Sequence, residues 1–107
     1  MEYKLMLIYI NGSMKRLLEE YFEEKGFFRY TVHSGLEACW TKHVRHKNNQ
    51  VWPGNDCLFY MTLKENEVPK MLKALKEFRM TLPESITMSV STHPVDIYIP
   101  NLYTAEV

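Results

Sequence analysis

Cysteine is scarce in this chain, and the two present, Cys39 and Cys57, form no C-x-x-C pair and stand too far apart for a zinc knuckle. Glycine is sparse as well. Gly12, Gly26, Gly35 and Gly54 are scattered and no G-x-x-x-x-G-K-[ST] segment occurs, so no phosphate cradle can be drawn from spacing. Net charge is absent too: 13 basic residues balance 13 acidic ones, which removes any global case for nucleic acid or an acidic membrane surface. No segment approaches the ~20 consecutive apolar residues of a membrane span. The opening MEYKLMLIYINGS has an apolar run the length of a signal-peptide core, but Glu2 stands where a basic region belongs and no small-residue cleavage site follows. The expectation is a cytoplasmic protein, not membrane-embedded, whose thiols stay reduced. Catalytic patterns are also missing. Ser13, Ser34, Ser85, Ser89 and Ser91 have no nucleophile-elbow context, and Cys39 near His43 is a faint thiol–imidazole pair, so a non-enzymatic role is expected.

What is there is patterned. With 46% apolar residues in 107, the chain reads as one globular domain over residues 1–107. Tyr3–Ile10 is apolar, aromatic or β-branched at nearly every position and stops at Asn11-Gly12, as a strand buried on both faces would. From Ser13 the period changes: Met14, Leu17, Leu18, Tyr21 and Phe22 form one helical stripe, which Gly26 ends. Phe27 to Leu36 returns to strand character. The plan then repeats with a strand over Cys57–Leu63 and a helix capped by Asn66 whose stripe is Val68, Met71, Leu72, Leu75 and Phe78. Pro69 sits in its first turn, Pro83 closes it, and Ile86–Ser91 alternates as a half-buried strand, with His93-Pro94 as a following turn. Strand–helix–strand twice over is an α/β (α+β) ferredoxin-like βαββαβ sandwich with an antiparallel sheet and a long loop between its second and third strands.

Helices in such a plan cover one sheet face, yet the two most apolar strands carry apolar residues on both. The uncovered face predicts a homo-oligomer, the alternative being that the tail from Pro94 to Val107 folds back over it. The connection from Glu37 to Asp56 is long for so compact a chain, and such loops commonly carry function. It reads EACWTKHVRHKNNQVWPGND. Cys39, His43 and His46 are spaced C-x3-H-x2-H, which on a helical turn would project thiolate and imidazoles to one side for a transition metal, with His33 as a fourth ligand. Lys42, Arg45 and Lys47 would repel a cation there, and no carboxylate lies nearby in sequence to orient an imidazole. Those same cations beside Trp40 and Trp52 suit an anionic ligand or a protein partner, because Trp and Arg dominate interface hot spots. Aromatic RNP motifs are missing, so RNA is not expected.

The layout, together with Val51-Trp52-Pro53-Gly54-Asn55 running into CLFYMTL, resembles the PII-like signalling proteins, in particular a divergent subgroup with a V-W-P-G-x-N segment. Here Asn55 follows Gly54 directly, a departure from that pattern. The resemblance implies a homotrimer packed through open sheet faces, which agrees with the two-faced strands. It also implies a small-molecule effector held between subunits near Gly35, Trp52, Pro53 and Gly54. In that family the long loop (the T-loop) then contacts a target protein, often a transporter or enzyme, which here assigns partner contact to Trp40, Lys42, Arg45 and Lys47. Gly35 and Gly54 would act as hinges, and Trp52-Pro53 as a fixed turn with a cis bond. PII proteins that bind ATP carry a glycine- and lysine-rich phosphate loop between the second helix and the last strand. The matching Thr81-Leu82-Pro83-Glu84-Ser85 has neither residue and adds a carboxylate, which speaks against ATP in the usual mode. The CutA metal-binding trimers share the layout without an evident shared motif, and the dimeric α/β-barrel enzymes share the scaffold.

Overall fold

A computed structural model describes residues 2–102. The first strand, β1 (Tyr3–Asn11), leads through a 3-10 turn at Gly12–Met14 into α1 (Lys15–Glu24). Next come β2 (Thr31–Leu36), a short hairpin of β3 (Ala38–Thr41) and β4 (Val44–His46), and the long β5 (Asp56–Lys64). A 3-10 turn at Glu65–Glu67 precedes α2 (Val68–Met80), and β6 (Met88–Val95) completes the sheet. The strand order is β2-β5-β1-β6 with every neighbour antiparallel, which is the ferredoxin-like arrangement; β3 and β4 form a separate two-stranded sheet.

The core follows from strand alternation. Met6, Ile8 and Ile10 of β1 and Cys57, Phe59, Met61 and Leu63 of β5 point one way and are closed over by Leu18, Phe22, Leu75 and Phe78 of the helices. Leu17 and Leu72, expected on the helix stripes, stay exposed at the stripe margins. α1 ends as its sequence requires. Gly26 takes φ +72°, which a side chain resists, and this lets the Phe27 N–H reach the Phe22 carbonyl (2.8 Å) and the Gly26 N–H reach Glu23 (3.0 Å). The same turn stacks Phe27 edge-on against Phe22 at 5.4 Å.

Four boundaries differ from expectation. Phe27–Tyr30 is not strand; Phe27 and Tyr30 pack instead into an aromatic cluster with Phe22 and Phe59, so side-chain burial outweighs strand propensity there. Asn66 does not cap α2: it lies inside the 3-10 turn, whose start is closed by the Glu67 carboxylate accepting the Lys64 N–H at 3.0 Å, and α2 follows without a side-chain cap. The last strand begins two residues late and continues through His93 and Pro94, because β1 offers register partners as far as Val95. Pro94 is tolerated there since β6 is an edge strand. The Glu37–Asp56 connection is structured rather than a bare loop, since β3 and β4 lie inside it.

The other sheet face carries Leu5, Leu7 and Tyr9 of β1 beside Leu58 and Tyr60 of β5, half-buried except for Tyr9, which is exposed. The tail crosses one end of it: Tyr98 meets Tyr3 ring to ring at 5.0 Å. The tail's final residues, 103–107, lie outside the described residues. No helix among the described residues is long and apolar enough to cross a membrane.

Candidate functional site

At the end of the sheet where β1 finishes and β5 begins, both strands of the hairpin converge on one carboxylate. Asp56, the first residue of β5, is fully buried. Its Oδ2 accepts the indole N–H of Trp40 at 2.5 Å, and its Oδ1 lies 2.7 Å from His46 Nδ1. Trp40 comes from β3 and His46 from β4, so both arms of the hairpin are fastened to the sheet through one side chain. A buried carboxylate without such partners would cost on the order of several kcal/mol in lost hydration. Here two donors satisfy it.

Two irregularities aim these groups. In the hairpin, Ala38 pairs with His46, Cys39 with Arg45 and Thr41 with Val44, which leaves Trp40 as an extra residue on β3. In β2, His33 pairs with Leu58 and Leu36 with Asp56, so Ser34 and Gly35 together oppose one residue of β5. Bulges re-aim side chains, and Gly35 at φ +71° supplies the left-handed backbone this one uses.

The Val51–Asn55 segment folds back against the hairpin. The Lys47 N–H donates to the Trp52 carbonyl (2.9 Å) and the Asn48 N–H to that of Gly54 (3.0 Å), while Asn49 Oδ1 accepts the Trp52 N–H at 2.7 Å. The Arg45 guanidinium lies over the Trp52 ring, 5.0 Å from its centroid. Beneath, the Gly12 N–H donates to the Asn55 carbonyl (2.8 Å), and a Cβ on Gly12 would displace the Asn55 side chain and press on its backbone carbonyl at 3.0 Å, so glycine suits this close approach. Asn11 Oδ1 accepts both the N–H and the hydroxyl of Ser13 at 3.0 and 2.7 Å, and the Asn11 N–H reaches the Thr87 carbonyl at 3.1 Å.

The α2–β6 connection lies at this same end. There the Arg79 guanidinium donates to the carbonyls of Leu82, Pro83, Glu84 and Ile86 at 3.1–3.4 Å, so the cation is occupied in shaping the loop. Beside Asp56, burial and the neighbouring carboxylate push the Cys57 thiol up to about 11, which keeps it protonated and unreactive at neutral pH.

The expected site residues are therefore distributed unevenly. The carbonyls of Trp52 and Gly54 are tied by hydrogen bonds to Lys47 and Asn48 beside the hairpin, Pro53 between them is exposed, and Gly35 lies at the bulge in β2. All described peptide bonds are trans, Trp52–Pro53 included. Of the residues expected to meet a partner, Lys42 is exposed at the hairpin turn and Arg45 and Lys47 are half-buried. Trp40 is turned inward onto Asp56. Cys39, His43 and His46 lie on a hairpin rather than a helical turn. Cys39 Sγ is directed at the Thr41 carbonyl (3.4 Å) and His46 is held by Asp56, while His33 stacks on Tyr60 at 5.5 Å. Among the described residues no three His, Cys, Asp or Glu side chains form a group that could hold a metal ion. Asp56 and Arg79 escaped the sequence reading. A carboxylate directly before a strand apolar at almost every position was the signal for the first; nothing local marks the second.

No family model matches the sequence, and no curated protein is similar to it. Solved structures do share its shape. CPII from Thiomonas intermedia K12, a nitrogen regulatory PII-like protein solved with ADP, AMP and bicarbonate, superposes with a TM-score of 0.60 at 17% identity, over 92% of this chain and 98% of that one. A functionally unknown protein from Pediococcus pentosaceus gives 0.63 at 18% identity, over 92% and 97%. A putative PII-like signaling protein from Thermus thermophilus gives 0.56 at 20% identity, over 88% of each.

Proposed function

Starting from a chain with the PII-like fold, we propose that it is a trimeric sensor and regulator whose hairpin, rather than a catalytic centre, carries the signal. The observation that carries this reading is the buried Asp56, which couples both hairpin strands to the first residue of a core strand. A ligand that alters the hairpin base must then alter hairpin and sheet together, and ~1–3 kcal/mol of such coupling makes a useful switch. The trimer packs through Leu5, Leu7, Tyr9, Leu58 and Tyr60 of the open sheet face. A small effector binds between subunits beside Gly35, Trp52, Pro53 and Gly54. The exposed hairpin tip with Lys42, supported by Arg45 and Lys47, meets a protein target.

CPII's ligands, ADP, AMP and bicarbonate, are the first effectors to test. ATP held on a glycine–lysine cradle is not proposed, because Thr81–Ser85 has neither residue and Arg79 is occupied by that loop's carbonyls.

Native mass spectrometry of untagged protein tests the assembly: trimers are expected, and a monomer or dimer at micromolar concentration rejects it. Both tryptophans of the chain lie in the hairpin region, so intrinsic fluorescence reports on that element. A saturable emission change with ADP, AMP or bicarbonate is expected. An intact trimer with no response to any of the three rejects the proposed effectors.

A further inference from the structure

At the end of the sheet opposite the hairpin, a cavity of about 520 Å³ opens between the last turn of α1 and the first turns of α2. That volume falls within the ~300–1,000 Å³ typical of small-molecule sites. Its inner wall is the core itself, since Phe22 and Leu63, both essentially fully buried, line it together with Phe27 and Met71. The wall is braced: the Tyr21 hydroxyl donates to the Ala74 carbonyl at 3.0 Å, tying one helix to the other across it.

The rim has a different character. Lys25 reaches it from the end of α1 and Lys70 from the start of α2. Neither lysine has an ion pair among the described residues, although Lys25 Nζ sits 5.4 Å from the Tyr21 ring centre. Glu67 is the sole carboxylate among the lining residues, and it is turned to the Lys64 N–H at 3.0 Å. An apolar floor under two unpaired cations selects a molecule that is apolar along its length and anionic at one end. A flexible thioether such as Met71 lets the floor adapt to the body of such a ligand.

We propose that this cavity is a ligand site for amphiphilic carboxylates, with the apolar body against Phe22, Phe27, Leu63 and Met71 and the carboxylate between Lys25 and Lys70. It is separate from the hairpin base and does not depend on the role proposed for that region.

The test is backbone-amide NMR of the full chain titrated with octanoate below its micellar range, with 1-octanol as the neutral control. Saturable shifts are expected around Lys25–Phe27 and Asn66–Met71, with none in β3 and β4. The double variant K25Q/K70Q, altered only at exposed positions, should weaken octanoate by about five- to tenfold, the size of two part-exposed charge contacts, and change octanol less than about twofold. Absence of saturable shifts in the cavity overturns the site. Octanoate affinity unchanged in K25Q/K70Q overturns the carboxylate assignment.

Discussion

The helix-covered side of the sheet and the hairpin at its end are held by opposite kinds of force. Under the helices, Met6, Ile8, Ile10, Phe59 and Leu63 meet Leu18, Phe22, Leu75 and Phe78 in a packing that is non-directional and spread over many contacts. The hairpin buries little apolar surface of its own: Cys39, Thr41, Lys42, His43 and Val44 are all exposed. Its position rests on a few directional bonds, chiefly those of Trp40 and His46 to Asp56. Area burial resists change in proportion to the area lost, whereas a polar hub can be released by altering one group. The same chain thus holds one region fixed by spread-out burial and another fixed by a few directional bonds.

That contrast can be broken from either side. Phe59→Ala should have the largest effect, lowering unfolding free energy by about 3–5 kcal/mol and destabilising all elements together in chemical denaturation. Asp56→Asn comes next, at about 1–3 kcal/mol, because an amide offers one acceptor oxygen where the carboxylate has two. Hydrogen exchange should then quicken in β3 and β4 while β1 amides near Ile8 stay protected; uniform loss of protection would show that Asp56 serves the core rather than the hairpin. Arg45→Ala should lower unfolding free energy by about 0.5–1 kcal/mol through loss of the contact with Trp52, with a shift in tryptophan emission.

The smallest effect at neutral pH concerns Cys57. Its folded-state value, about 11, lies above the unfolded value of 9.0, so the folded chain binds more protons between them. Its contribution is fully present below pH 9 and declines as pH rises through 11. The alkaline loss of stability should be shallower in Cys57→Ala than in the parent protein. At pH 7, iodoacetamide should label exposed Cys39 and spare Cys57 until the chain unfolds.

Strand and helix positions were largely legible because each is written in a local period. Tyr3–Ile10 is an apolar run of strand length, Met14–Phe22 repeats every three or four residues, and Gly26 stops the helix where a left-handed backbone is needed. Phe27–Tyr30 misled for the same reason, since a run of aromatics suits a strand and an aromatic cluster equally well. In the site, the loop and its Trp, His and Arg residues were visible as composition, but their partners were not. His43 and His46 beside Cys39 imitate metal spacing only if the segment is helical, and β3 and β4 make it extended.

By itself, then, the sequence determined the order of the elements outside the β3–β4 hairpin, the apolar faces of the two central strands and the segment in which function would be sought. These depend on neighbours within a helical turn or two. Only the tertiary structure decided that Asp56 joins Trp40 and His46, 16 and 10 residues away, and that Arg79 closes the α2–β6 loop. It also decided that a cavity opens between α1 and α2. Hydrophobic period dictates which side of an element is buried, but polar partners are chosen by strand register and bulges, which exist only once the sheet has formed.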